Sequence, residues 1–511
     1  MNDAPAQRVQ QASIVLLSLA LLANGCATKP DLAKPSPPLP VAEPTAPVNL
    51  PEPSVVKPPA PVAPPKNAVA LVDVVAEAAA LTKQGKYQAA ELRHRQIIAI
   101  REFKQGPEHP DTLAARRELS ESLRYQGRKL EAEAELWLVL EIHLRVLGPE
   151  DLDTLTTRGF LATILAEQGK NLESEAEYKA ILRILQKLNF QDWPSIWGTT
   201  KNLSLTLEAE GKLTEAEELL RQALRLAERT HGAAHLATLD LRCHLARVWF
   251  QQGKLVAAER EFEAVLKSVK VILGPEHSMT LRTRSDYASA VRDQGRRAEA
   301  EQDFREILAI SLRALGPTDR VTLFTQANLG LTLERQGKGE EAEKHLRTAL
   351  VNYERILEPA DPCIFEARVN LSNALRQLKR PEEAVELLRK ALATCEHEFG
   401  SDELRIIAAR ENLASTLLGL NRNLEAEGEY RQLVASHERV HGANHEKTVK
   451  YRFYYAQALV LQGKFKEAQK LATRAAADNL RVLGPEHGAT KAAQAMVKHI
   501  EWKLDQPVER K

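Results

Sequence analysis

The five residues His437-Glu438-Arg439-Val440-His441 have a spacing that could hold zinc, because imidazoles four apart share one helix face and the intervening glutamate could act as general base. Their register argues against it. The segment falls where a helix is ending, with His441 directly before Gly442, and a fraying end cannot hold two ligands rigidly. His445 and Glu446 lie nearby but supply no clear third ligand. The recurring Gly-Lys pairs invite a phosphate-loop reading and fail it. Such a loop needs a glycine five residues earlier and Ser or Thr after the lysine, whereas Gly85, Gly211 and Gly463 follow Ala80, Thr206 and Ala458 at that distance. His109, His235, His277, His445 and His487 recur in equivalent loops, where they are expected to cap the next helix; an array of metal ligands is the alternative. No catalytic residue, metal or cofactor is expected.

What positions these residues is a repeat. A turn glycine recurs every 42 residues at 85, 127, 169, 211, 253, 295, 337 and 463, and Lys379 and Asn421 fall on the same beat. A fixed period without drift means one supersecondary unit stacked in a row. In the second copy, the loop Gly106-Pro107-Glu108-His109-Pro110 opens a helix to about Gln126, Gly127 turns the chain, and a second helix runs to about Leu147. Seven residues before each turn the residue is small, from Ala78 and Ser120 to Gly330 and Ala456, and five after it stands Ala or Ser, from Ala90 to Ala468. Small residues let two helices approach closely, while Leu123, Leu165, Trp249 and Leu417 are expected to fill the flanking space. The fold class is all-α, an α-solenoid of about ten helical hairpins over 67–483, with a capping helix and tail over 484–511. Solenoids mostly bind rather than catalyse. Phe190-Gln191-Asp192-Trp193-Pro194 and Lys379-Arg380-Pro381 break the pattern, either as bends or as drift in a tolerant linker.

Composition narrows the partners. Across 511 residues, 70 basic and 69 acidic side chains nearly cancel and alternate along the helices, which argues against nucleic acid. An apolar run from Ala12 to Ala23 is too short to span a bilayer and reads as an export signal over 1–25. From Lys29 to Lys66 the chain is rich in Pro, Ala and Val, so 26–66 is expected to be a polyproline-type tether reaching on the order of 100 Å. Cys363 and Cys395 lie about sixteen residues either side of the repeat-eight turn, so antiparallel helices would bring them to one end of a hairpin. They are either bonded or two buried thiols.

Two resemblances follow from these residues. Leu119, Ser120, Leu123, Gly127, Ala132 and Leu136 resemble the tetratricopeptide repeat, and the 42-residue period with Gly-Pro-Glu-His linkers is similar to its kinesin light chain branch, over 67–511. That family implies a right-handed superhelix whose first helices line a concave groove for a peptide or partner protein. On this chain the corresponding positions include Asn202, Asn328, Asn370 and Asn412, nine residues before the turn, with Arg247, Arg282, Arg292, Arg335 and Arg376 interleaved with Asp240, Asp293, Glu334 and Glu366. The heptad coiled coil of kinesin light chains is missing, so motor attachment is not implied. Ala23-Asn24-Gly25-Cys26 resembles the lipobox of bacterial lipoproteins, which implies cleavage and lipidation at Cys26. The expectation is a docking scaffold on the periplasmic side of the cell envelope, anchored in a membrane through that lipid, with the outer membrane favoured. A periplasmic or cytoplasmic protein with an unprocessed leader, and a carbohydrate or peptidoglycan binder that recruits a cell-wall enzyme, are the alternatives.

Overall fold

The computed structural model describes residues 71–187, 193–357, 359–399, 401 and 403–505. The leader, Cys26, the 26–66 tether and the Phe190–Asp192 part of the first irregular linker lie outside the described residues. Twenty-one helices, and no strand, occupy those that are described.

The helices fall into two compact units, one up to Val248 and one from Trp249 onward. In the first, α1 (Leu71–Lys83), α2 (Tyr87–Gln105), α3 (Pro110–Tyr125) and α4 (Lys129–Val146) are followed by α5 (Leu152–Glu167), α6 (Asn171–Lys187), α7 (Trp193–Ala209) and α8 (Leu213–His231). Helix α9 (Leu236–Gln251) runs across the division. The second unit continues with α10 (Leu255–Leu273), α11 (Ser278–Asp293), α12 (Arg297–Ala314), α13 (Arg320–Arg335), α14 (Gly339–Ile356) and α15 (Pro362–Gln377). It ends with α16 (Pro381–Phe399), α17 (Leu404–Gly419), α18 (Asn423–His441), α19 (Glu446–Leu461), α20 (Phe465–Leu483) and α21 (Gly488–Asp505). From α1 to α8, and again from α10 to α21, every helix packs on the next in the chain. Odd-numbered helices are the first of each hairpin and also meet one another, as α11 meets α13 and α13 meets α15.

The punctuation works as its chemistry requires. All eight turn glycines have positive φ, and Lys379 and Asn421, on the same beat, adopt φ 58° and 59°. Residues that start the first helices accept a hydrogen bond from the backbone N–H two residues on. His277 Nδ1 does so from Met279 at 3.2 Å, and His109, His235, His445 and His487 repeat the contact. Asp151, Asp319, Asp361 and Glu403 supply a carboxylate in the same place. Capping histidines and capping acids are thus interchangeable acceptors for the otherwise unpaired first turn.

The small positions form the seam of each hairpin. The residues from Ala90 to Ala468 five after the turn are fully buried, as are Ser120, Ala162, Ala288 and Ala456 seven before it. At Gly330 a Cβ would lie 2.6 Å from Leu346 Cγ, so this copy has closed more tightly than alanine permits. Leu123, Leu165 and Leu417 fill the core beside the seam. Trp249 does not; it is only half-buried, and Phe250 beside it takes the interior place.

Neighbouring hairpins are joined by a polar clasp that recurs with the period. Glu91, six after one turn, accepts from Gln126 at 2.9 Å and pairs with Arg128 at 2.7 Å across the next turn. Glu133 does the same with Gln168 and Lys170, Glu259 with Gln294 and Arg296, and Glu427 with Gln462 and Lys464. In the fourth copy Glu210 replaces the glutamine, so Glu175 and Glu210 share Lys212.

Candidate functional site

The asparagines nine before the turn project from first helices, but the structure gives them different surroundings. In the first unit, Asn202 on α7 hydrogen-bonds the Tyr178 hydroxyl, which also meets Thr163 Oγ1 at 2.7 Å, beside a small cleft. Arg247 is a buried residue of α9 in the same unit. The remaining candidates belong to the second unit.

There Asn328 has a partner at each of its polar atoms. Its Oδ1 accepts from the Arg292 guanidinium at 2.7 Å, and its Nδ2 donates to Phe324 O at 3.0 Å. Arg292 also donates to Asp293 at 2.9 Å, and Asp293 accepts from Arg335 at 2.9 Å. One carboxylate therefore serves two guanidinium groups. Burial and the neighbouring Arg292 pull Arg335 down to about 10 although Asp293 opposes them. Burial likewise raises Glu334, whose carboxylate accepts from Gln377 at 2.5 Å. Arg282 is half-buried on α11, and Arg376 lies exposed on α15.

One and two repeats further on, the polar groups are buried but unfilled. Asn370, 4% exposed, has no partner for Oδ1, and Asn412 on α17 has none for Nδ2. Four residues before Asn370, Glu366 is buried with Oε1 unpaired, and burial pushes its carboxyl up to about 7 against the pull of Arg405. Arg292 Nη2 has no partner either. These atoms offer both donors and acceptors on the first helices α11, α15 and α17, a set that a peptide backbone can satisfy.

The His-Glu-x-x-His segment sits at the end of α18. His437 is buried, and burial together with His441 holds its imidazole down to about 3, so it stays neutral. Its ring is 4.6 Å from that of His441 and 5.6 Å from that of His445, with Tyr451 edge-on at 5.0 Å. Among the described residues no group of three His, Cys, Asp or Glu could hold a metal ion. Cys363 and Cys395 do not form the disulfide considered from the sequence. Both are buried thiols, and Cys395 Sγ donates to Ala360 O at 3.7 Å, in the loop that leads into α15.

Sequence reasoning missed a second feature of this unit. Tyr430, Tyr451 and Tyr454 wall a cavity of about 360 Å³ between α17, α18 and α19. Tyr430 stacks on Tyr454 with ring centroids 5.5 Å apart. Glu411 accepts from Lys450 at 2.8 Å and from the Tyr451 hydroxyl at 2.6 Å; burial alone would raise its carboxyl, but these partners hold it below the ordinary range. The available signal was the run Tyr451-Arg452-Phe453-Tyr454-Tyr455 in a chain with only 5% aromatic residues.

A stack of helical hairpins presenting polar side chains from its first helices is a helical-repeat binding protein. The chain belongs to the tetratricopeptide repeat family. One tetratricopeptide repeat model matches residues 198–268, 243–313, 319–397 and 405–480, and a second matches 78–111 and 112–153. Among solved structures, a protein described as a kinesin light chain with nearly identical TPR-like repeats, from Podosopora anserina, is 25% identical. That alignment covers 40% of this chain and 96% of the other, with a TM-score of 0.37. BtubC (BKLC) from P. vanneervenii is 18% identical over 44% of this chain and 90% of its own, at TM-score 0.37. A Rap protein complexed with competence and sporulation factor is 13% identical over 69% of this chain and 99% of its own, at 0.43. The comparison with curated proteins found no match.

Proposed function

We propose that this protein is a docking scaffold that holds an extended segment of a partner protein against the first helices α11 to α17, and that it does so at the bacterial cell envelope. The observation that carries the reading is the pair Asn370 and Asn412, one repeat apart, each with a buried amide atom left unpaired. Leaving such an atom desolvated costs about 1–3 kcal/mol, which a bound backbone would recover. Tetratricopeptide folds are typically non-catalytic, and the polar groups found here suit binding rather than bond-making.

A photo-crosslinking residue at Arg376 tests the surface. Adducts to a discrete protein should form there and disappear in an Asn370→Ala, Asn412→Ala double variant, whereas a crosslinker at the exposed Leu172 should give none of the same mass. Adducts of equal pattern from both positions would remove the groove from consideration.

The envelope setting is supported by the leader and by Ala23-Asn24-Gly25-Cys26, with the proline-rich stretch as the spacer between lipid anchor and repeats. Metabolic labelling with a fatty acid should mark the wild-type chain and not Cys26→Ala. An unlabelled wild type would leave a periplasmic or cytoplasmic scaffold instead.

A further inference from the structure

Neither Asn370 nor Glu366 lines the tyrosine-walled cavity between α17, α18 and α19, and its chemistry differs from theirs. Its size is within the range of small-molecule sites. The mouth opens beside the exposed Gly419 and Leu461, while Tyr430 and Tyr451 are buried walls.

Charge selects against an ion. Glu411 is already matched by Lys450, so a cationic or anionic guest would have to break an ion pair 2.8 Å long in a partly buried place. A purely apolar guest fares no better. It would strip water from the Lys450 ammonium, the Gln457 amide, the Ser415 hydroxyl and the Glu411 carboxylate without replacing those hydrogen bonds. What remains is a neutral ring that carries hydroxyls on its edge and C–H groups on its faces. Each hydroxyl both donates and accepts, which suits an edge lined by carboxylate, amide and ammonium, and the C–H face suits a tyrosine wall.

We propose that this cavity binds a neutral pyranose unit, either as a free sugar or as a residue of a glycan chain. The Tyr454 side packs the ring face, while Glu411, Lys450 and Gln457 meet its hydroxyls.

The test uses the full chain and saturation-transfer NMR with calorimetry. The probes are cellobiose, di-N-acetylchitobiose, N-acetyltyrosinamide and purified peptidoglycan sacculi. At least one neutral disaccharide should bind saturably, and Gln457→Ala, a half-buried position that the core does not need, should weaken it about tenfold. Tyr454→Ala should act in the same direction, and Tyr125→Ala, in the other unit, should leave affinity unchanged. Retention on sacculi that is lost in Gln457→Ala would assign the sugar to a cell-wall glycan; binding of free disaccharide alone would assign it to a soluble one. No saturable sugar response at any soluble concentration overturns the proposal. So does binding of N-acetyltyrosinamide alone, which would make the cavity an anchor for a partner's aromatic side chain. The scaffold reading is judged by a different readout, the loss of Arg376 adducts in the Asn370→Ala, Asn412→Ala variant, measured without sugar present.

Discussion

The four asparagines share one register position, yet Asn328 is consumed by Arg292 while Asn370 and Asn412 are left open. That difference depends on which side chain the adjacent repeat contributes, and the 42-residue pattern does not specify it. Glu366 makes the point measurable. Its buried carboxyl is raised to about 7, so the folded chain holds the proton more tightly than the unfolded chain, whose carboxyl lies near 4.5. The group's contribution is complete below about pH 4.5 and is lost as pH rises through 7. Glu366→Gln should match wild type at pH 4 and exceed it at pH 8 by on the order of 3 kcal/mol, read from urea unfolding of α15 and its neighbours. A difference that does not change with pH would show that Glu366 is not titrating. Lys379 offers a second residue-scale test. It occupies left-handed backbone at φ 58°, where a side chain costs about 1–2 kcal/mol and glycine little, so Lys379→Gly should stabilise by about 1 kcal/mol despite the entropy that glycine adds to the unfolded chain. A lowered unfolding midpoint would overturn that assignment of strain.

At the scale of elements, the hairpins could be drawn from the sequence nearly to the residue. The predicted ends at Gln126 and Leu147 lie one residue beyond the observed Tyr125 and Val146. Turn glycines, small seam residues and capping loops each have one local cause, and local causes survive in a one-dimensional pattern. The clasp between hairpins was present in the same pattern and went unread, because its members stand 35 to 37 residues apart, as in Glu91 with Gln126 and Arg128. One exception is informative. Where the copies closed by Gln126, Gln168, Gln294 and Gln462 pair one carboxylate with glutamine and a cation, the fourth places two carboxylates on Lys212; burial, with Glu175 opposing ionisation, raises Glu210, while Lys179 and Lys212 hold Glu175 low against its own burial. A raised carboxyl weakens the fold as pH climbs above its ordinary range. Glu210→Gln should therefore stabilise the junction of α6 with α7 and α8 by about 1 kcal/mol at pH 7.5, and the gain should shrink toward pH 4. Thermal midpoints of the two proteins across that interval measure it. A gain that grows on acidification would contradict the shared-lysine account.

At the scale of the whole chain, a repeat protein distributes its stability between each hairpin and its next neighbour, so damage should spread and fade rather than unfold everything at once. The last helix tests this in the second unit. Helix α21 packs on α20 and α19, burying Ile500 completely against a cluster that includes Leu459, Ala468 and Ala472. A chain lacking residues 484–511 loses that cover, and the uncovered apolar surface, equivalent to about one or two large side chains, is worth about 3 kcal/mol. Hydrogen exchange should then show α20 losing most of its amide protection, α18 and α19 losing less, and α11 to α13 retaining theirs. The tyrosine cavity, walled by α17 to α19, lies within that gradient, so sugar affinity should fall in the shortened chain while crosslinking from Arg376 on α15 persists. Equal loss of protection from α10 to α20 would mean that the second unit unfolds as a single block, and the nearest-neighbour description would have to be abandoned for it.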